Sequence, residues 1–138
     1  MKAIPRHMLA AISLLALGPA AQAFDLTVEV LNARSSQGTI EAALYGTDAD
    51  WLKTPLQGER SAAAERAVVV YRNLPAGTYA LAVFHDENGN RKLDTNIAGM
   101  PVERFGFSRD ARGRMGPPAF ADSAIELRED TAITVKLH

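Results

Sequence analysis

The chain has 138 residues, 47% hydrophobic and 22% charged, with a formal net charge of −1 and no cysteine. The missing cysteine excludes a disulfide framework, a thiolate metal site and a cysteine nucleophile. The near balance of charge excludes nucleic-acid binding by phosphate neutralisation, and the apolar content excludes a disordered chain.

Residues 1–23 read as a cleavable signal peptide. Lys2, Arg6 and His7 make a basic start, and Met8 to Leu17 is an apolar run interrupted only by Ser13. Gly18 and Pro19 break it, and Ala21-Gln22-Ala23 offers the small-x-small pattern of a cleavage site. The apolar run is about half of the roughly 20 residues a membrane span needs, so no transmembrane segment is expected in the mature chain. Cleavage would remove two cations and no acid, leaving a mildly acidic domain over residues 24–138, expected in the periplasm or secreted.

The rest alternates. Leu26, Val28 and Val30 share one face of a first strand, and Ile40, Ala42 and Leu44 one face of a second. Asp48 to Leu52 reads as a helical turn capped by Asp48, with Trp51 and Leu52 plugging one end of the core. Ser61–Arg66 is Ala-rich and reads as a further helical turn. Ala67–Tyr71 is a short β-branched run. Tyr79, Leu81 and Val83 share a face, as do Ile125 and Leu127, and Ile133, Val135 and Leu137. Period-two alternation broken by Gly-, Asn- and Pro-rich turns predicts about seven strands in an all-β, antiparallel β-sandwich.

Leu74-Pro75-Ala76-Gly77-Thr78-Tyr79 sharpens that reading. Gly77 supplies backbone freedom, and Tyr79 can bury its ring and return its hydroxyl to nearby backbone, as in a tyrosine corner. The L-x-x-G-x-Y pattern followed by alternation resembles prealbumin-like and bacterial surface-repeat sandwiches.

Two loops, 85–96 and 103–118, carry the polar chemistry. In the first, Asp86, Asn88, Asn90 and Asp94 fall at relative positions 1, 3, 5 and 9, and Lys92 could add a backbone carbonyl. Oxygens at this spacing can build part of a Ca²⁺ cage. It is not an EF-hand: Arg91 stands at position 6 and Ile97 at position 12. Few ligand charges imply weak affinity, and Asn88-Gly89 equally suits a metal-free tight turn.

The second loop holds Arg104, Arg109, Arg112 and Arg114 among three glycines. Arginine forks suit a carboxylate or phosphate ligand. They would equally pair with Asp86, Glu87, Asp94 and Asp110 and tie the two loops together. Phe105 and Phe107 read as a short strand packing inward.

Catalytic patterns are thin. Outside the leader the only histidines are His85 and His138, and no G-x-S-x-G elbow or Gly-rich phosphate loop occurs. His85, on the Tyr79/Leu81/Val83 face, reads as a capped core histidine. A hydrolase built on it is the remote alternative.

The blocks G-T-Y-A-L-A-V-F-H-D-E-N-G-N-R-K-L-D-T-N and F-G-F-S-R-D-A-R-G-R-M-G-P-P-A-F, with the Gly38-Thr39-Ile40 strand entry and the leader, resemble a family of small exported bacterial proteins of unknown function, DUF family 2141. The resemblance covers nearly all of the mature chain. It implies a secreted, prealbumin-like or immunoglobulin-like sandwich and no activity, and a second loop glycine where this chain has Arg91. The expectation is a non-enzymatic exported sandwich that binds an anionic ligand or an envelope protein through one polar end formed by both loops. A Ca²⁺-stabilised structural module is the alternative.

Overall fold

The computed structural model describes Gly18 and residues 20–138, so most of the expected leader lies outside it. Among the described residues eight strands form: β1 (Ala23–Leu31), β2 (Thr39–Tyr45), β3 (Gln57–Ala62), β4 (Arg66–Pro75), β5 (Gly77–Asp86), β6 (Phe105–Phe107), β7 (Ile125–Leu127) and β8 (Thr131–Lys136). One sheet runs β4-β1-β8. The other runs β3-β2-β5-β6, and β7 also pairs with β5. The two layers make a β-sandwich, as the alternation predicts.

The inward faces are those read from the sequence. Leu26, Val28, Val30, Ile40, Leu44, Leu81, Leu127 and Val135 are wholly buried and form the core between the sheets, with Tyr71, Tyr79, Val83 and Leu137. The Tyr71 hydroxyl donates to the Ala42 carbonyl across the layers at 2.8 Å. Tyr79 donates to the Pro75 carbonyl at 2.7 Å, closing the expected corner. Gly77 is not at positive φ. A Cβ there would meet the Tyr79 ring only at ordinary van der Waals distance, so neither φ nor space requires glycine at this position.

The structure corrects the reading in four places. β1 pairs with β8 in parallel, Val28 opposite Ile133, so the three-stranded sheet is mixed. Residues 57–62 form β3, which takes in Ser61 and Ala62 of the expected helical turn. Its sequence, QGERSA, carries no apolar alternation because it pairs only with β2 at the sheet margin. Around residue 50, Thr47 rather than Asp48 caps the turn, its hydroxyl accepting the Asp50 N–H.

Trp51 lies outside the main core. With Tyr45, Ala80 and Phe107 it forms a second apolar cluster, held by an indole N–H bond to the Pro118 carbonyl at 2.9 Å, while Leu52 is exposed. Phe105 and Phe107 form the expected short strand, β6, and pack into that second cluster, while Gly106 between them faces β8.

Gly106 closes the sandwich along this margin. Phe105 and His138 exchange backbone hydrogen bonds at 2.9 and 3.3 Å, bringing β6 beside the end of β8. A Cβ at Gly106 would collide with the Lys136 carbonyl oxygen.

Candidate functional site

The end of the sandwich at the C-terminus of β5 gathers the polar residues. His85 and Asp86 are both wholly buried there. His85 Nδ1 accepts the Arg34 N–H at 3.2 Å, and Nε2 lies 2.6 Å from the Gln37 carbonyl, so Nε2 carries the proton. Both ring nitrogens are spent on backbone. His85 is the capped core histidine of the sequence reading, and it offers no nitrogen to a substrate.

Asp86 shapes the loop that follows. Its Oδ1 accepts the Gly89 N–H at 2.9 Å and its Oδ2 the Arg91 N–H at 2.8 Å. These bonds hold Gly89 at φ 75° and Arg91 at φ 61°. Arg91 thus takes the left-handed geometry that a second glycine would adopt more readily. Asn88 Oδ1 accepts the Asn90 N–H at 3.1 Å and Asn90 Oδ1 the Lys92 N–H at 3.0 Å, a run of Asx turns. The side-chain amides of Asn88 and Asn90 both donate to the Asp94 carboxylate.

These bonds bear on the calcium expectation. Asn88, Asn90 and Asp94 do converge. Yet the amide nitrogens, not the oxygens, face Asp94, and Asp86 is occupied by backbone. Among the described residues no three acidic, His or Cys side chains gather as a metal group. Lys92 engages through its N–H.

Glu103 clips the end together. Only 6% exposed, it accepts the Glu87 N–H on Oε1 and the Asp94 N–H on Oε2, each at 3.0 Å. Arg34, from the turn between β1 and β2, pairs with Glu87 at 3.0 Å and donates to the Val102 carbonyl at 3.1 Å. Between Asp94 and Val102 a hairpin projects, closed by the Val102 N–H to the Asp94 carbonyl and by a bridge between Thr95 and Pro101. Its apex exposes Ile97 and Met100.

The second expected loop does not stay wholly at this end. Arg104 does, donating to the Asn32 carbonyl at 2.8 Å. The chain then runs down the side of β5: Phe105 pairs with Phe84, Phe107 with Ala82, and Ser108 Oγ accepts the Leu81 N–H. Pro118 ends beneath Trp51, beside Tyr45 and Ala80. Asp86 and Ala80 are six residues apart on β5, roughly 20 Å along a strand.

Arg109 sits exposed in the 3₁₀ turn Ser108–Asp110 at φ 61°, and Arg112 lies against the His138 ring. Arg114 is exposed on the same descending segment. Arg112 stays close to Arg104, since the His138 that it meets exchanges backbone hydrogen bonds with Phe105. Among the described residues none of these arginines pairs with Asp86, Glu87, Asp94 or Asp110. Glu87 takes Arg34, and Asp110 accepts the Lys136 N–H.

Sequence reasoning passed over Glu103, Arg34 and the Ile97–Met100 apex. The I-A-G-M run, apolar but without strand periodicity and preceded by T-N, was the available sign of the apex.

A two-layer β-sandwich with a buried-carboxylate clip at one end defines the class. The chain belongs to the family described as "Uncharacterized protein conserved in bacteria (DUF2141)", whose model matches residues 28–135. No curated protein and no solved structure matches it.

Proposed function

We propose that this chain is an exported, non-enzymatic β-sandwich module that binds through the end built from residues 85–104. The single observation that carries this is the Glu103 clip. A buried carboxylate bonded to two separate backbone amides holds the Asp86 loop and the 94–102 hairpin as one preset surface. Rigid presentation lowers the ordering cost of binding. Export rests on the leader read in residues 1–23. It is compatible with β1, where Ala23 makes only the outermost pair, opposite Pro75.

A photo-crosslinking residue placed at Ile97 or Lys92 in the native cell tests the reading. Adducts from both positions, and none from the exposed Val68 on β4, are expected. Absence of adducts at Ile97, Lys92 and Arg104 alike would reject it.

A calcium-stabilised module is the second reading, favoured by the convergence of Asn88 and Asn90 on Asp94. Ca²⁺ at about 100 times its Kd would add about 2.7 kcal/mol and raise Tm by several degrees relative to chelator. An unchanged Tm at millimolar Ca²⁺ would remove it.

A further inference from the structure

We infer that Asn88 is a deamidation site gated by the bonds of the Asp86 loop: ring closure at Asn88-Gly89 waits on the loop opening, and its product loosens the end built from residues 85–104. This goes beyond the proposed function and does not depend on what that end binds.

Asn88-Gly89 is the one Asn-Gly pair in the chain; the other asparagines precede Ala33, Leu74, Arg91 and Ile97. A glycine carries no side chain to shield its own nitrogen from the preceding carboxamide. Both residues are exposed, so water reaches them. The chemistry needs only water. The Gly89 nitrogen gives up its proton and attacks Asn88 Cγ, a C–N bond closes a cyclic imide, and the carboxamide nitrogen leaves as ammonia. Water then opens the imide at the side-chain carbonyl to give aspartate, or at the backbone carbonyl to give isoaspartate.

The fold opposes the first step at both atoms. The Gly89 N–H is donated to Asp86 Oδ1 at 2.9 Å. Losing that proton would set a second negative charge against the carboxylate, which disfavours it. Asp86 is wholly buried and held on its other oxygen by the Arg91 N–H at 2.8 Å, so it does not swing away. The carboxamide is tied as well: Asn88 Oδ1 accepts the Asn90 N–H at 3.1 Å, an Asx turn, and its amide donates to Asp94. Turning Cγ onto the Gly89 nitrogen gives up those bonds. Glu103 secures the frame on either side of Asn88 by accepting the Glu87 and Asp94 N–H groups. Reaction therefore proceeds through local opening of the loop.

The product undoes part of that frame. Aspartate at position 88 replaces the amide that donates to Asp94 with a second carboxylate, so like charges meet where donor met acceptor. Isoaspartate adds a backbone carbon inside the Asx turn and shifts Asn90 out of reach.

The test is peptide mass spectrometry of the segment containing residue 88 during incubation in mildly alkaline buffer. The native protein should deamidate there at least about tenfold more slowly than the same protein unfolded in guanidinium. Asp86→Asn and Glu103→Gln, each weakening the bonds that hold the loop, should react about tenfold faster than the unaltered protein. Circular dichroism checks that they fold, and Glu103→Gln carries the comparison if Asp86→Asn does not. Asn88→Asp, the product itself, should show faster amide exchange at Asn90 and Lys92.

Equal rates in the native and unfolded protein would overturn the inference. So would an unchanged rate in the folded variants, or earlier deamidation at another asparagine. Unaltered loop exchange in Asn88→Asp would overturn the claim that the product loosens this end.

Discussion

Glu103 holds Asp94 by the backbone: its Oε2 accepts the Asp94 N–H at 3.0 Å while its Oε1 accepts that of Glu87 at the same distance. Asp94 in turn receives the Asn88 and Asn90 amides on its carboxylate. A glutamate nine residues downstream of Asp94 thus closes a loop whose own side chains bond one another. Removing it strands two backbone donors near a buried site. Hydrogen bonds to charged groups contribute about 1.5–3 kcal/mol, so Glu103→Ala should destabilise the protein by about 2–4 kcal/mol in urea unfolding. Glu103→Gln, which keeps one acceptor, should lose about half as much.

Gly106 lies where β6 meets the end of β8. A Cβ there meets the Lys136 carbonyl, a backbone atom that cannot swing aside. Gly106→Ala should cost about 1–3 kcal/mol, the usual range for overpacking, and lower Tm accordingly. A neutral outcome would mean that β6 and β8 are farther apart than described.

The Tyr79 corner is a local bond spanning four residues, with its hydroxyl on the Pro75 carbonyl. Tyr79→Phe keeps the ring and loses the hydrogen bond, an expected cost of about 0.5–1.5 kcal/mol. Denaturant midpoints of the two proteins check it.

Alkali should destabilise the fold through Tyr71. Burial, reinforced by the Glu59 charge and then by Tyr45, pushes its phenol well above the ordinary value of 10.0. The unfolded chain ionises first. Stability is therefore flat below about pH 10 and falls above it, by about 1.4 kcal/mol per pH unit for this group. Tyr71→Phe should be less stable at neutral pH and show a shallower alkaline slope. An equal slope in the variant would show that Tyr71 is not the group responsible.

The strands that face the core were legible because burial imposes period two: Leu26/Val28/Val30 and Tyr79/Leu81/Val83 could be read directly. β3 could not, since QGERSA gains its strand from pairing with β2 rather than from apolar burial. Trp51 and the Phe105/Phe107 pair were recognised as apolar, but a sequence does not say which face of a sheet they cover. The Asp86 turn was legible from Asn88-Gly89. The clip was not, because Glu103 acts through backbone amides, which leave no pattern in sequence. The four arginines suggested one patch; what brings Arg112 toward Arg104 is the backbone contact of His138 with Phe105, which no spacing in the sequence announces.

Amide hydrogen exchange on the mature protein and on Glu103→Ala tests the central claim most directly. Protection of the Gly89, Arg91, Asp94 and Val102 amides is predicted, with all four exposed together by the substitution while the strand amides of β1 and β5 stay protected. Rapid exchange of these four in the unaltered protein, or their indifference to the loss of Glu103, would contradict a preset binding end.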